Sequence, residues 1–581
     1  MAFLVLAAAD RGRIDPEILA RVNRAMPVTW FAPDDPGLGG VISLSPLATV
    51  SRLRRGDRVD CLVVGRIRLD RRDELRAKLM GQEGDDALCP SDADLCLAAY
   101  QRWGAGLVEH IHGDFAFVIY DNVTRELLCA RDRFGIRMLA WRRDANSLWI
   151  AGSMQDLVAT PGFHAGELDP VWISDFLREG VCNDPARSVY SAVHRLAPAH
   201  VLSVGPQGLT TKRYWSLAVG GPLQLASPAA YAEEFHARLD AAMRDRLPSD
   251  RVGLFMSGGL DSSTLAAKCV HLAGPELKVI ARTWLIGGQS DPEAQASARV
   301  AEHLGLQQII VNGDRLLFDS KWQEKPAGNP EPDLAVISPS SRLDDAKSMR
   351  SEAACWLYGE GPDNALTFEW QMHLHWLVRQ GQWARLPSVL ASYLVSKSLV
   401  EWRTTVLSRL KRKGMYQNEV NQDHAWVRGD GSRIECGPIN EWRPKAHANL
   451  SSALWPSLFE MLETEYAPLG IEWRYPFMDL RVMEFLLATP PIPWARRKRL
   501  IRVAMKGQLP AATLRRDKTP LHRDNLSKLL RKHLPAMPRS GDAVEQFVDI
   551  GRLPEDPPTH PDIYALTRVA ILQHWLKPRH G

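Results

Sequence analysis

No uninterrupted apolar run in the sequence is long enough to cross a bilayer, so a membrane-spanning chain is not expected and a soluble one is. Cysteine is sparse. Eight are scattered at positions 61, 89, 96, 129, 182, 269, 355 and 436, with no C-x-x-C pair and no Cys/His group at zinc spacing. That excludes a zinc module or a dithiol redox motif and leads us to expect reduced thiols in a cytoplasm. An excess of one charge is also missing: 72 Lys and Arg stand against 68 Asp and Glu, for a net +4. No nucleic-acid partner is expected from so even a balance. The opening "MAFLVLAAADRGR" lacks the basic segment that precedes the apolar core of a signal peptide, and reads instead as a first strand.

What is present has two compositions. Residues 1–215 hold short β-like runs, among them "CLVVGRI", "FAFVIYD" and "RELLCAR", which predict a mostly antiparallel domain. Residues 216–229, rich in Gly, Pro, Ser and Ala, read as a linker. In residues 230–581, strand-like runs such as "VGLFM" and "KVIARTWLI" alternate with helical periods such as "EAQASARVAEHLG". That alternation predicts an α/β doubly wound parallel sheet, whose ligands sit at the carboxyl ends of the strands. Tryptophan crowds one region of this half, at Trp370, Trp376, Trp383, Trp402, Trp426 and Trp442, either as core packing or as a surface that grips a peptide.

The first candidate site is "SGGLDSS", directly after "VGLFM". Gly258 and Gly259 let the backbone turn toward a ligand, Leu260 is a further residue of the candidate nucleotide-binding loop, and Ser257, Ser262 and Ser263 supply hydroxyls. Together with the helix dipole this makes a phosphate cradle, the alternative being a plain structural turn. It lacks the lysine that a Walker loop places after its second glycine. Asp261 offers instead a carboxylate suited to Mg2+, which takes few protein oxygens and completes its shell with phosphates.

These residues resemble the pyrophosphate loop of the ATP pyrophosphatases, in particular the asparagine synthetase branch. The resemblance implies that ATP is cleaved between its α- and β-phosphates and that AMP passes to a carboxylate. Three further segments carry it. "YGEGPDNAL" resembles the second acidic loop of that family, and implies that Asp363, after Gly361, shares the metal with Asp261. "EWRYPFMD" resembles the E-x-R-x-P-F-x-D segment, with Glu472 either catalytic or paired with Arg474 as a structural ion pair. "RRKRLIRVAMKGQLPAATLRRDK" resembles K-x-x-L-R-x-A followed by L-P and R-x-K. Lys498 takes the lysine position, Ile501 replaces the leucine, and Arg502 keeps the arginine. A cation there would offset charge on the α-phosphate and on an acyl oxyanion.

The stretch "HIHGDFAFVIYDNVTRELLCARDRFGIRML" is similar to the glutaminase domain of the same enzymes, implying an α+β N-terminal Ntn-hydrolase-like sandwich. Active members expose a cysteine at position 2, where this chain has Ala2. The glutamine-binding segment is altered as well: "VVGRIRLDRRDELR" keeps Gly65 and Ile67 but has Arg66 where the family has a glutamate. Glutamine is therefore not the expected nitrogen source, and an amine already present on the substrate is the economical nucleophile. Ring closure gains from holding both reacting ends together, by up to ~7–11 kcal/mol of barrier.

"GEGPDNAL" and the tryptophan-rich region look most like lasso-peptide cyclases. That resemblance implies a leader-trimmed core peptide as substrate, a macrolactam bond between its terminal amine and an Asp or Glu side chain, and a leader peptidase and leader-recognition protein as partners. Glu360 is the candidate to orient or deprotonate the amine, or else a loop residue. Three alternatives stay open: β-lactam synthetase-like closure of a small molecule, an ammonia-dependent asparagine synthetase-like enzyme, and a non-catalytic peptide-binding partner. Asn364, standing where the glutamine-dependent branch has an acid, weakens the case for free aspartate as substrate.

Overall fold

A computed structural model describes residues 3–8, 17–18, 38–43, 47–55, 58–80, 90–144, 147–205, 208–286, 292–326, 328–395, 424–432, 442–516, 523–533, 537–554 and 560–577. Ala2 and Trp402 lie outside the described residues. Two antiparallel sheets make up the first half. One has the order β2-β1-β8-β7-β9, from β1 (Phe3–Ala8), β2 (Leu38–Ser43), β7 (Ala140–Asp144), β8 (Ser147–Ala151) and β9 (Val193–Arg195). The other runs β11-β10-β6-β5-β4-β3, from β3 (Thr49–Arg55), β4 (Arg58–Asp70), β5 (His112–Asp121), β6 (Glu126–Arg131), β10 (His200–Gly205) and β11 (Gly208–Arg213).

The central strands β1, β8, β4, β5 and β6 are apolar on both faces because both faces are covered. Along β1 and β8, Phe3, Val5, Leu148 and Ile150 meet Leu62, Val64 and Val118 of the facing sheet. Their neighbours Leu4, Leu6 and Trp149 turn outward to Trp172 and Phe176 on the helix Pro170–Glu179. On the far side, Val63, Phe117 and Ile119 pack beneath Leu95 and Ala99 of the helix Asp92–Trp103. The result is a helix–sheet–sheet–helix sandwich.

The segment read as a linker is docked rather than loose. Leu217 is buried, Leu223 N–H donates to Ala488 O at 2.8 Å, and the Tyr231 hydroxyl donates to Leu223 O at 2.8 Å.

Every strand of the third sheet is parallel. Its order is β14-β13-β12-β15-β16, from β12 (Arg251–Phe255), β13 (Lys278–Leu285), β14 (Gln307–Asn312), β15 (Cys355–Leu357) and β16 (Glu472–Arg474). The chain winds outward from β12 in one direction and then in the other, so the crevice of this sheet opens at the carboxyl ends of β12 and β15. Gly253 is required in the middle of β12, where an added Cβ would stand 2.5 Å from the Trp356 ring of β15. No helix among the described residues is long and apolar enough to cross a membrane.

The two halves are fastened by buried ion pairs. Arg246 bonds Asp70 at 2.7 Å and Asp479 at 2.6 Å, while Arg68 bonds Asp70 at 2.7 Å and Asp114 at 2.9 Å. Arg195 reaches Glu460 at 2.8 Å and also pairs with Glu331. Asp70, Asp245 and Asp479 converge closely enough to suggest a metal centre, yet Arg68, Arg246 and Arg481 already serve them. The C-terminal helix His560–Leu576 returns to the first half, where Arg568 donates to Leu177 O at 3.0 Å and Arg178 O at 2.6 Å. Neither half is closed without the other.

Arg246 is 2% exposed, so truncating it takes one arginine from each of two buried carboxylates, leaving Asp70 to Arg68 and Asp479 to Arg481. Arg246→Ala should lose about 3–5 kcal/mol in urea unfolding. A loss under ~0.5 kcal/mol would show that this fastening is not energetic.

Candidate active site

After β12 the chain leaves the sheet at Met256, whose carbonyl accepts from Thr283 Oγ1 at 2.8 Å. Gly258 then takes φ +67°, and an added Cβ would stand 2.4 Å from Ser297 N of the helix Pro292–Leu304; only glycine allows this approach. The helix Leu260–Leu272 begins at once, with Gly259 as its N-cap and Asp261 in its first turn. Gly259 N–H donates to Ser257 Oγ at 3.3 Å, and Ser257 N–H donates to Ser262 Oγ at 3.3 Å. The two hydroxyls thus sit side by side at the loop surface.

Ser263 does not join them. It is fully buried on the core face of the helix, because one residue further along rotates a side chain by ~100°. Its expected role as a phosphate donor is corrected to a packed helix position.

The second loop lies against the first: a Cβ on Gly359 would come within 3.4 Å of Ser262 N. Glu360 is exposed there, Gly361 takes φ +126°, and the short helix Pro362–Ala365 carries Asp363. Buried Arg443, which sequence reading did not single out, holds this helix from behind. It donates to Ala365 O at 2.6 Å and Thr489 O at 3.0 Å and pairs with Glu369 at 3.4 Å. Its signal in the sequence was only one more arginine in a region rich in them.

Lys498 closes the site. Its ammonium bonds the Asp261 carboxylate and lies 2.7 Å from Asp363 Oδ1. Burial opposes the charge, but the two carboxylates outweigh it and hold the lysine above its ordinary pKa. Three residues far apart in sequence therefore meet at one point. Lys498 occupies a left-handed conformation at φ 52°, as does Arg497 at φ 48°, a costly arrangement for side chains other than glycine. Arg502 secures it: its guanidinium donates to Arg497 O at 2.6 Å, to Arg516 O at 2.9 Å and to Leu514 O.

The residues present fit a magnesium ion. Two carboxylates already converge on a single cationic atom, the number Mg2+ commonly takes from protein when phosphates supply the rest.

Glu472 lies in a different company. Arg474 bonds its Oε2 at 2.7 Å, and Arg137 of the first half bonds its Oε1 at 3.0 Å. Despite burial, these guanidinium groups lower its pKa to about 2. A carboxylate so held is a poor proton acceptor, and of the two readings of Glu472 the structure shows the ion pair with Arg474, extended across the halves to Arg137. Arg66 belongs to the same cluster. It is 4% exposed and reaches Glu463 of the second half at 2.8 Å, so the side chain that replaces the family's glutamate faces the partner domain.

Of the tryptophans, Trp426 and Trp442 are buried and Trp383 is exposed. Trp370 stacks on Tyr393 at 4.8 Å, while Arg496 lies 6.0 Å from the rings of Phe368 and Tyr393. An aromatic wall thus flanks the turn that carries Lys498.

An antiparallel sandwich joined to a parallel sheet, with a phosphate loop facing a second acidic loop, defines the amidotransferase–synthetase class. Residues 71–215 match the glutamine amidotransferase domain model, and residues 234–577 match the asparagine synthase model. The chain belongs to the asparagine synthase family, a family of ATP-dependent carbon–nitrogen ligases. It is 28% identical to an amidase of Gibberella zeae, chry2, over 69% of this chain and 66% of that protein. It is 25% identical to the glutamine-hydrolyzing asparagine synthetase 3 of Bacillus subtilis, over 82% of this chain and 77% of the relative. Among solved structures, the glutamine phosphoribosylpyrophosphate amidotransferase of B. subtilis aligns at TM-score 0.23 and 12% identity, covering 62% of this chain and 70% of that one.

Two outcomes are expected of this geometry. Arg502→Ala should lower turnover at least tenfold with little change in the KM for ATP, and added guanidinium should restore part of it. Failure of rescue, or an equal loss in both constants, would remove the positioning role. The second concerns acid. Glu472 has a folded pKa below its ordinary 4.5, so its contribution to stability is complete above about 4.5 and fades as pH falls toward about 2. Thermal unfolding should therefore fall less steeply with acid in Glu472→Gln than in the parent across that window, and identical slopes would refute the linkage.

Proposed function

We propose that the protein is an ATP-dependent lasso-peptide cyclase: it activates an Asp or Glu side chain of a core peptide and joins it to the peptide's own terminal amine. The observation that carries the ligase part is Lys498 set between Asp261 and Asp363 at the mouth of the parallel sheet. In the first step a carboxylate oxygen of the peptide attacks the α-phosphorus of ATP, and the bond to the bridging oxygen breaks to release pyrophosphate. In the second, the deprotonated amine attacks the acyl carbon, and AMP leaves with the electron pair of its oxygen.

A magnesium ion, when bound, would be held by Asp261 and Asp363 and would neutralise phosphate charge. Ser257, Ser262 and the amides of the loop would hold the phosphates, and Lys498, freed from its carboxylates by that ion, would turn to the α-phosphate and the acyl oxyanion. Glu360, exposed on the second loop, would take the proton of the amine.

The choice of an internal amine is supported by Arg66, which fills the glutamine-binding position of the family with a cation paired across the interface. The choice of a peptide is supported by the aromatic wall of Phe368, Trp370 and Tyr393 beside the lysine turn.

Incubation with ATP, magnesium and candidate core peptides should release pyrophosphate and yield a peptide lighter by one water. Asp261→Asn should abolish both. Release of ADP and orthophosphate would overturn the ligase reading. Pyrophosphate release with small amino acids but never with peptides would transfer it to small-molecule closure, and peptide binding without turnover would leave only a maturation partner.

A further inference from the structure

Three polar side chains from three elements meet behind the phosphate loop. Thr283 of β13 is 2% exposed, Ser297 of the helix Pro292–Leu304 is fully buried, and Gln308 of β14 is half-buried. The Thr283 and Ser297 hydroxyls stand 2.6 Å apart, and Gln308 Nε2 donates to Thr283 Oγ1 at 2.9 Å and to Ser297 Oγ at 2.6 Å. The cluster ends on backbone at the root of the loop, through the bond from Thr283 to the Met256 carbonyl.

Counting hydrogens gives the cluster a direction. The one hydroxyl hydrogen of Thr283 is spent on Met256 O, so the hydrogen between the two hydroxyls comes from Ser297, and the two hydrogens of the Gln308 amide serve the two hydroxyl oxygens. With the amide turned the other way, both of its contacts and the one between the hydroxyls would compete for the single hydrogen of Ser297. Every bond therefore points from Gln308 toward the loop, and each polarises the next.

The root of the loop is thus gripped twice. Met256 N–H donates to Arg282 O at 2.9 Å and its carbonyl accepts from Thr283 at 2.8 Å, so β13 fixes both polar backbone groups of the residue before Ser257. Ser297, whose backbone nitrogen lies against Gly258, ties that grip to the helix on which the loop packs. Ser257 stands between the two fixed points.

We propose that Thr283, Ser297 and Gln308 are positioning residues for the phosphate loop: they lock Met256 and the helix against each other, so that Ser257 and the loop amides are in place before a polyphosphate arrives. This rests on the reading above that the loop holds the phosphates of ATP. It adds that hydrogen bonds, and not shape alone, set the loop. The two are separable, because valine keeps the branched shape of threonine without its hydroxyl, whereas serine keeps the hydroxyl without the methyl.

The test is titration calorimetry with Mg·ATP on the full chain, beside a thermal melt of each variant. Thr283→Val, which leaves the Met256 carbonyl without its donor, should bind Mg·ATP about tenfold more weakly, while Thr283→Ser should bind close to the unmodified protein. A packing role gives the opposite order. Ser297→Ala should weaken binding too, and should add less than its own effect when combined with Thr283→Val, since both cut one chain of bonds. Should Thr283→Val fail to fold, Ser297→Ala and Gln308→Met carry the same comparison. Unchanged binding in the folded variants, or a loss in Thr283→Ser as large as in Thr283→Val, would overturn the proposal while leaving the loop reading intact. No binding of Mg·ATP by the unmodified protein would overturn the loop reading itself, and the proposal with it.

Discussion

The ammonium of Lys498 between the carboxylates of Asp261 and Asp363 brings together residues more than a hundred positions apart, and most of the architecture around it serves that convergence. Asp261 is delivered by a parallel strand that ends in a glycine turn, Asp363 by the neighbouring strand, and Lys498 by a backbone held in left-handed geometry. None of these would hold alone. A strained turn persists only where its surroundings over-determine it. Here the surroundings are a guanidinium fork from Arg502 on one side and the carboxylates on the other.

Arginine recurs as the means of fixing backbone where hydrophobic packing would be too permissive. Arg443 gathers the carbonyls behind the Asp363 helix, and Arg131 spans Arg137 O at 2.7 Å, Leu196 O at 2.8 Å and Gly135 O at 3.0 Å inside the sandwich. Burying such groups is costly unless each donor is met, so these networks favour one arrangement over near alternatives more than they add to net stability. The interface follows the same logic. Arg66, Arg137 and Arg195 all come from the sandwich, and their carboxylate partners across the boundary include Glu463, Glu472 and Glu460.

Much of this was legible in the sequence where local pattern and chemistry coincide. The alternation of strand and helix after Tyr231 announced the parallel sheet, and "SGGLDSS" announced a tight glycine turn between strand and helix, because such a turn constrains residue type. Ser263 was misassigned for a geometric reason: adjacency in sequence is not adjacency in space once the helix has begun. The pairing of Glu472 with Arg474 was one of two readings open in the local pattern, but its bond to Arg137, more than three hundred residues earlier, has no local signal. The return of the C-terminal helix to the sandwich was hidden for the same reason.

Arg66 stands where the resemblance would put a glutamate, and a buried cation must find a partner. Glu463 is that partner, and it also bonds Arg137, which in turn bonds Glu472 on the strand beside β15. Arg66 is thereby wired by charge to the strand adjacent to the one that delivers Asp363, which gives the sandwich a structural part in the second half. Without that half, Glu463 and Glu472 would lose their arginine partners from the sandwich, and the edge of the sheet next to the second acidic loop would lose part of what fixes its position.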